Sequence, residues 1–478
     1  MGTAGNRESG VGNRYGGQRV LVVGLGVSGV SALRYLLREG ADLVVTDSRA
    51  APKGVDELRA QYPQIEFHLG AFAAPQPLSQ FAMAVVSPGV SLEEPFVREL
   101  VAAGVEIVGD IELFARALAV APPASRLPPP VIGITGSNGK STVTTLVGEM
   151  AKAAGIRVAV GGNLGTPALD LLDDGVALYV LELSSFQLET TSSLRTVAAT
   201  ILNLSQDHLD RHGTMAHYGA VKARIWAHCD TAVVNRDDPA VMALFQESGI
   251  GNRESSKLFS FGLMSPASPD EYGLIEEDGE SWLAVATPDS RFPIPVLQRS
   301  ALKIFGLHNA ANALAALALA DAAGVPRDAS LRALRDFAGL PHRCEFVGRH
   351  ADVDYFNDSK GTNVGSTLAA LKGLPAPIVW LGGGQGKGQS FSELREPLAQ
   401  KGRAAVLFGE DAALIEREVF GALPVYREVD MHQALRRART LAQPGDRVLL
   451  SPACASFDQF KSYVDRGEQF RRAVRTLA

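Results

Sequence analysis

The stretch Gly133-Ile-Thr-Gly-Ser-Asn-Gly-Lys-Ser-Thr142 limits what this chain can fold into, because it follows an apolar run and opens a helical pattern. A strand, a glycine turn and a helix start in that order bring backbone N–H groups together around an anion, as a loop holding the phosphates of ATP does. Gly136 and Gly139 let the backbone of Ser137 and Asn138 close, Lys140 can reach the β and γ phosphates, and Ser141 or Thr142 can hold Mg²⁺. The pattern G-x-x-x-x-G-K-[ST] is not met strictly, since its first glycine would fall at Ile134 and the nearest glycine is Gly133.

Around this loop the chain reads as three α/β segments. The first begins with the strand-like Arg19-Val-Leu-Val-Val23, then Gly24-Leu-Gly-Val-Ser-Gly29, a helical pattern to Glu39, and Leu43-Val-Val-Thr-Asp47. A G-x-G-x-x-G with an acid at the next strand end is, taken alone, a dinucleotide fingerprint. Met83-Ala-Val-Val-Ser87 ends in Pro88-Gly89, placing another strand tip at the same edge. A proline-rich connection, 121 to 130, separates this unit from the second, whose apolar strands (131–135, 177–183, 197–203, 232–235) alternate with helical stretches. Short strand-like pieces follow from 257 to 296, and an alanine-rich helix from about Asn309 to Ala323 ends at Gly324. The third segment starts near Leu340 and again alternates, with strands at 353–356, 378–384, 404–409 and 447–451. The expected fold is α/β in three domains: N-terminal Rossmann-like, central P-loop-type mononucleotide-binding, and C-terminal Rossmann-like. The expected boundaries are a disordered tail at 1–17, then 18–112, 113–339 and 340–478.

Composition narrows the functional classes. A net charge of −6 over 478 residues leaves no basic face for nucleic acid, so anionic ligands must meet local lysines, arginines and helix starts. Three widely spaced cysteines, Cys229, Cys344 and Cys454, fit buried thiols in a reducing compartment. No apolar run approaches a membrane span and the start lacks the apolar core of a signal peptide, so the expected location is cytoplasmic, without membrane insertion.

Several side chains suit chemistry on phosphates. Glu182 ends the strand-like Tyr179-Val-Leu-Glu182 and is a metal candidate or a helix cap. Asp207, His208 and Asp210 fall in a polar turn after the next strand, where His208 is a second ligand candidate or a surface histidine. Lys222 lies four residues from Tyr218 on one helical face, which reads by default as a solvated charged face. A lysine of depressed basicity near a metal can instead react with CO₂ to form a carbamate. Asn309 and His308 start the alanine-rich helix as caps or nucleobase contacts, and Arg343 can reach across an interdomain cleft to a γ-phosphate.

Four further stretches, Gly104-Val-Glu-Ile-Val-Gly-Asp-Ile-Glu-Leu-Phe114, 181 to 193, Asn357-Asp-Ser-Lys-Gly-Thr-Asn363 and 451 to 460, complete a pattern. From residue 18 onward the chain resembles the bacterial Mur ligases, ATP-dependent amide-forming enzymes of peptidoglycan precursor synthesis, and is most similar to their D-glutamate-adding branch. The resemblance implies that the first domain holds UDP rather than NAD, with Val27, Ser28, Asp47, Ser48, Arg49, Ser87 and Gly89 near the uridine and diphosphate. Asn163 and His208 then lie beside the substrate's sugar and peptide. Glu182 and His208 match Mg²⁺ ligands, two ions being implied, and Lys222 matches a lysine that the family carbamylates. Asn309 and Arg343 match ATP contacts, with Asp358, Lys360 and Thr362 in the cleft between the second and third domains. Thr362, Lys387, Ser456 and Tyr463 would hold the incoming amino acid. Tyr463 departs from the Phe usual there, and Gly382-Gly-Gly-Gln-Gly-Lys387 has one glycine more than the family loop. The implied partners are UDP-N-acetylmuramoyl-L-alanine, D-glutamate and ATP, acted on by a monomer. Other readings stay open on the residues: a nicotinamide dehydrogenase, from Gly24 to Gly29 with Asp47; an ATP-switched binding protein; and other amide ligases, including folylpolyglutamate synthases and diamino-acid-adding Mur ligases. The Asp-Asn-Pro-Arg of the last is missing from the third segment.

Overall fold

Three separate sheets, each faced by helices, organise the chain in a computed structural model that describes residues 13–119, 128–252 and 256–476. The first sheet contains β1 (Arg19–Val23), β2 (Asp42–Asp47), β3 (Glu66–Leu69), β4 (Met83–Val86) and β5 (Glu106–Val108), all parallel, in the order β3-β2-β1-β4-β5. Apolar residues of β1 and β4 are buried on both faces, as a parallel sheet covered on each side requires. The strand order reverses between β1 and β4, and their carboxyl ends open a crevice there.

The second sheet is built from β6 (Val131–Thr135), β7 (Val158–Gly162), β8 (Leu178–Glu182), β9 (Thr196–Ile201), β10 (Cys229–Asn235) and β11 (Lys257–Phe261). It continues into β12 (Glu271–Glu277), β13 (Glu280–Val285) and β14 (Ile294–Gln298), in the order β14-β13-β12-β11-β10-β9-β6-β8-β7. Strands β6 to β11 pair in parallel, whereas β12, β13 and β14 turn back on one another as an antiparallel edge. The alanine-rich helix Leu307–Ala322 packs against the phosphate-loop helix Lys140–Ala153, because a face of alanines lets two helices approach closely.

The third sheet holds β15 (Glu345–His350), β16 (Val353–Asn357), β17 (Ile378–Gly383), β18 (Gly402–Phe408), β19 (Val425–Arg427) and β20 (Arg447–Leu450). Its order is β15-β16-β20-β17-β18-β19, parallel except for β15 against β16. Among the described residues no helix is long and apolar enough to cross a membrane.

Two observations bear on the expected bounds. Residues 1–12 lie outside the described residues, but within 13–17, expected as disordered tail, Tyr15 is buried and Arg14 is half-buried. Tyr15 is only 6% exposed, its N–H donates to the Glu39 carbonyl at 3.0 Å, and its ring meets Tyr35 edge-on. One aromatic side chain gives a polar segment enough buried area to be held down. The boundary expected between 112 and 113 falls within the continuous helix Asp110–Ala119. Residues 120–127 of the proline-rich connection lie outside the described residues.

That helix also fixes the first domain on the second. The Glu112 carboxylate accepts from the Ser192 and Ser193 N–H groups at 2.8 and 3.0 Å, from the Ser193 hydroxyl at 2.8 Å and from Arg116 at 3.1 Å. Burial alone would raise its pKa, but these donors hold it below the usual carboxylate range. Two turns of chain from different domains are joined at one buried oxygen pair.

Candidate active site

The phosphate loop is shaped by contacts that glycine alone tolerates. At Gly139, φ is +83° and a Cβ would lie 2.6 Å from Asn312 Oδ1; at Gly136, φ is +149° and a Cβ would press on Leu202. Asn203, two residues past β9, braces the loop, its Oδ1 accepting from the Asn138 N–H at 2.8 Å and its amide donating to the Asn138 carbonyl at 3.0 Å. The helix Lys140–Ala153 begins with no side chain capping its first turn, so its leading N–H groups and dipole face the cavity in front of it. Lys140 folds back onto the loop, donating to the Gly136 and Ser137 carbonyls at 2.8 and 3.0 Å. Burial pushes its pKa down, with Glu182 acting the other way.

That cavity has a volume of about 890 Å³ and is walled by the second and third domains. Ser137, Asn138, Gly139, Lys140, Ser141, Thr142, Asn163, Glu182, His208, Asn309, Arg343, Asp358, Lys360, Thr362, Lys387, Ser456 and Tyr463 all line it. At the tip of β8, Glu182 Oε1 accepts from the Asn163 amide at 2.7 Å, while buried Oε2 has no hydrogen-bond partner. A buried carboxylate oxygen left over in this way suits a hard cation. Among the described residues no three His, Cys, Asp or Glu side chains converge as an all-protein metal cage would, which is the usual case where waters and phosphates complete the shell of Mg²⁺. Asn309 is a wall residue rather than a cap. Its amide donates to the Phe305 carbonyl at 2.8 Å, and the helix begins two residues before it.

From the third domain, Arg343 donates to the Ser141 hydroxyl at 2.7 Å, so the guanidinium already stands at the phosphate loop. Asp358 accepts from Ser451 Oγ at 2.7 Å and from the Cys344 N–H at 3.1 Å, and burial pushes its carboxyl up to about 7. Lys360 places its ammonium 4.2 Å from the centre of the Tyr463 ring, and burial, then Arg343 and Lys140, bring its pKa down to about 8.

Gly136 and Lys222 stand apart from the lining. Lys222 lies behind the loop, 1% exposed, donating to the Gly136 carbonyl at 3.0 Å and to Thr135 Oγ1 at 3.2 Å, over the Tyr218 ring at 4.7 Å. The solvated charged face read from its spacing is corrected, because the helix Met215–Ala223 turns that face inward. Burial drives the Lys222 pKa well below that of an ordinary lysine, with Lys140 adding to the effect.

A second cavity, about 740 Å³, opens at the switch point of the first sheet and is lined by Val27, Ser28, Asp47, Ser48, Arg49, Ser87, Gly89 and Asn163. Asp47 accepts from the Leu25 N–H at 2.6 Å and from the Arg49 N–H and Nε at 2.9 and 2.8 Å, which shapes the glycine turn. Val27 is 73% exposed at its mouth, free to meet a flat apolar surface. Asn163 and Gly165 line both cavities, so the two meet.

Sequence reading missed Asn203, the bond from Ser366 Oγ to Asn138 Oδ1 at 2.6 Å, and the bond from the Asn363 amide to Asp207 Oδ2 at 3.3 Å. Asn203 acts within the second domain and the other two bonds act across the cleft, and each uses an amide or hydroxyl whose role nothing in the sequence signals.

Comparison with known proteins covers three successive stretches of the chain. Residues 18–109 match the description Mur ligase MurD-like, N-terminal domain; residues 134–320 match Mur ligase middle domain; and residues 342–454 match Mur ligase, glutamate ligase domain. A UDP-N-acetylmuramoylalanine--D-glutamate ligase of Pseudomonas aeruginosa is 50% identical, covering 96% of this chain and 98% of the relative. Enzymes of the same name from Marinobacter nauticus and Methylobacillus flagellatus are 47% and 48% identical over 96% of the chain, covering 98% and 97% of those relatives. Among solved structures, UDP-N-acetylmuramate-alanine ligase MurC of Thermotoga maritima aligns with a TM-score of 0.57 at 18% identity, covering 96% of this chain and all of that one. MurF of Acinetobacter baumannii aligns with a TM-score of 0.58 at 17% identity, covering 95% and 91%. These two likenesses concern the fold alone. The dehydrogenase reading of Gly24 to Gly29 gives way, since that turn belongs to a domain of another family. With three consecutive domains matched and half of its residues shared with a full-length relative, this chain belongs to the Mur ligase family.

Proposed function

We propose that the protein is an ATP-dependent ligase that joins D-glutamate to UDP-N-acetylmuramoyl-L-alanine, in peptidoglycan precursor synthesis, through an acyl phosphate. The observation that carries this reading is the meeting of two cavities at Asn163, one at a Rossmann-type switch point and one at a phosphate loop. A long nucleotide substrate can lie in the first with its terminal carboxylate projecting into the second. Val27, Ser28, Asp47, Ser48, Arg49, Ser87 and Gly89 take the uridine diphosphate end, and Asn163 and His208 take the muramoyl-alanyl end. Gly136 to Thr142, Asn309, Arg343, Asp358 and Lys360 take ATP.

A carboxylate is a poor electrophile, and its attack on a γ-phosphate brings two anions together. Lys140, Arg343 and the loop N–H groups neutralise that charge as it builds. A substrate carboxylate oxygen bonds to the γ-phosphorus while the bridging oxygen leaves with ADP. The amine of D-glutamate then bonds to the acyl carbon, gives up a proton, and orthophosphate departs. Thr362, Lys387, Ser456 and Tyr463 hold the amino acid, and the charge of Lys387 with hydroxyls beside it suits a ligand carrying two carboxylates.

Ser141 or Thr142, Glu182, His208 and a carbamate on Lys222 would hold two Mg²⁺ ions, and the unpartnered Glu182 oxygen supports a cation there. When bound, the ions add positive charge beside the phosphates. The protein acts as a monomer in the cytoplasm. Phosphate release with ATP, Mg²⁺ and the nucleotide substrate, measured against a panel of D- and L-amino acids, tests the assignment. Release that depends on D-glutamate is expected, and a strong preference for any other amino acid overturns it.

A further inference from the structure

Three loops carry three of the four residues assigned above to the amino acid, Thr362, Lys387 and Ser456, and one uncharged side chain ties these loops together. Gln389 follows Lys387 by two residues. Its Oε1 accepts from the N–H of Val364, two residues after Thr362, at 3.1 Å. Its Nε2 donates to the carbonyl of Ala453, three residues before Ser456, at 2.7 Å. The Val364 N–H is an orphan donor at the first position of the helix Val364–Gly373, where Asn363 already uses its own side chain on the Ser366 N–H at 2.8 Å. Ala453 is a buried non-glycine residue at φ +59°, and Lys387 stands at φ +54°. Such conformations are strained for residues with a side chain and persist where the surroundings fix them. A backbone bridge between Gln385 and Ala455 joins the same two loops at their base, so the Gln389 amide supplies the tie at the far end.

We infer that Gln389 is the positioning residue of the amino-acid site: its amide sets the spacing among Thr362, Lys387 and Ser456, and thereby the recognition of a diacid. The side chain lines the cleft but bears no charge, and it makes both of its bonds with backbone groups of neighbouring loops. Its loss therefore spreads the three contact points without removing any of them. The phosphate loop keeps its own bonds to Asn203 and Arg343 when Gln389 is replaced.

This inference rests on the amino-acid site proposed above, and the test separates the two. Steady-state kinetics of the full chain with ATP, nucleotide substrate and D-glutamate are compared for wild type, Q389A and Q389M, with thermal unfolding of each. Both variants should raise the KM for D-glutamate about tenfold, with the KM for ATP within about twofold of wild type. Q389M fills the volume without the bonds, so wild-type behaviour of Q389M would show that packing matters and would overturn the inference. An unchanged D-glutamate KM in Q389A would overturn it too, as would an equal rise in all three KM values together with a lowered unfolding temperature. If wild type itself shows no saturable response to D-glutamate, the amino-acid assignment fails instead.

Discussion

At Lys222, burial removes an amine from water and with it the reason to stay protonated. A neutral amine is the form that attacks CO₂, forming an N–C bond, losing a proton and leaving an anionic carbamate. The same burial that makes the position useless as a surface cation suits it to carrying a carboxylate-like anion. Lys222→Ala should then lose activity by roughly 10–100-fold, as lost metal-supporting groups do, and recover part of it when short carboxylates such as acetate are added. A folded Lys222→Ala protein that no carboxylate rescues would contradict the carbamate. Lys360 makes a second prediction at this scale. With its pKa brought down to about 8, it is cationic at neutral pH and loses its charge as the pH rises through that value. ATP affinity should weaken across that interval in the wild type, while Lys360→Arg, charged throughout, should show a flat profile by titration calorimetry.

The helix Asp110–Ala119 is the element that seats the first domain, and Glu112 is its point of attachment. Because the folded pKa of Glu112 lies below its unfolded value, the stability it contributes is present above about pH 4 and is lost on acidification. Glu112→Gln should lower stability at pH 7 by roughly 1–3 kcal/mol in urea unfolding, with the difference shrinking at more acid pH. A constant difference across pH would show that charge plays no part. Elements of this kind show what was legible in the sequence. β1 and β6 stand where their apolar runs end in glycine turns, and β8 and β9 fall within a residue or two of expectation. The unread strands are short or mixed. β3 keeps exposed or half-buried residues throughout, β7 ends in two glycines, and β15 is an antiparallel edge with a bulge. The charged and glycine-rich lining of both cavities was readable, because phosphate chemistry demands particular residue types in order. Asn203, Ser366 and Gln389 were not, since an amide or hydroxyl acquires its role only from what the fold places opposite it.

Across the whole molecule, an acidic chain of net charge −6 gathers Lys140, Arg343, Lys360 and Lys387 around one cavity. Two domains supply them, and Arg343 to Ser141 and Ser366 to Asn138 bridge the cleft. Such a crevice favours chemistry in which anion meets anion and a carboxylate leaves its oxygen behind on phosphorus. The measurement that tests this most directly uses nucleotide substrate labelled with ¹⁸O in its alanyl carboxylate, followed by mass analysis of the orthophosphate released with D-glutamate. An acyl phosphate predicts one labelled oxygen in each phosphate formed. Phosphate free of label, with amide still produced, would contradict the account.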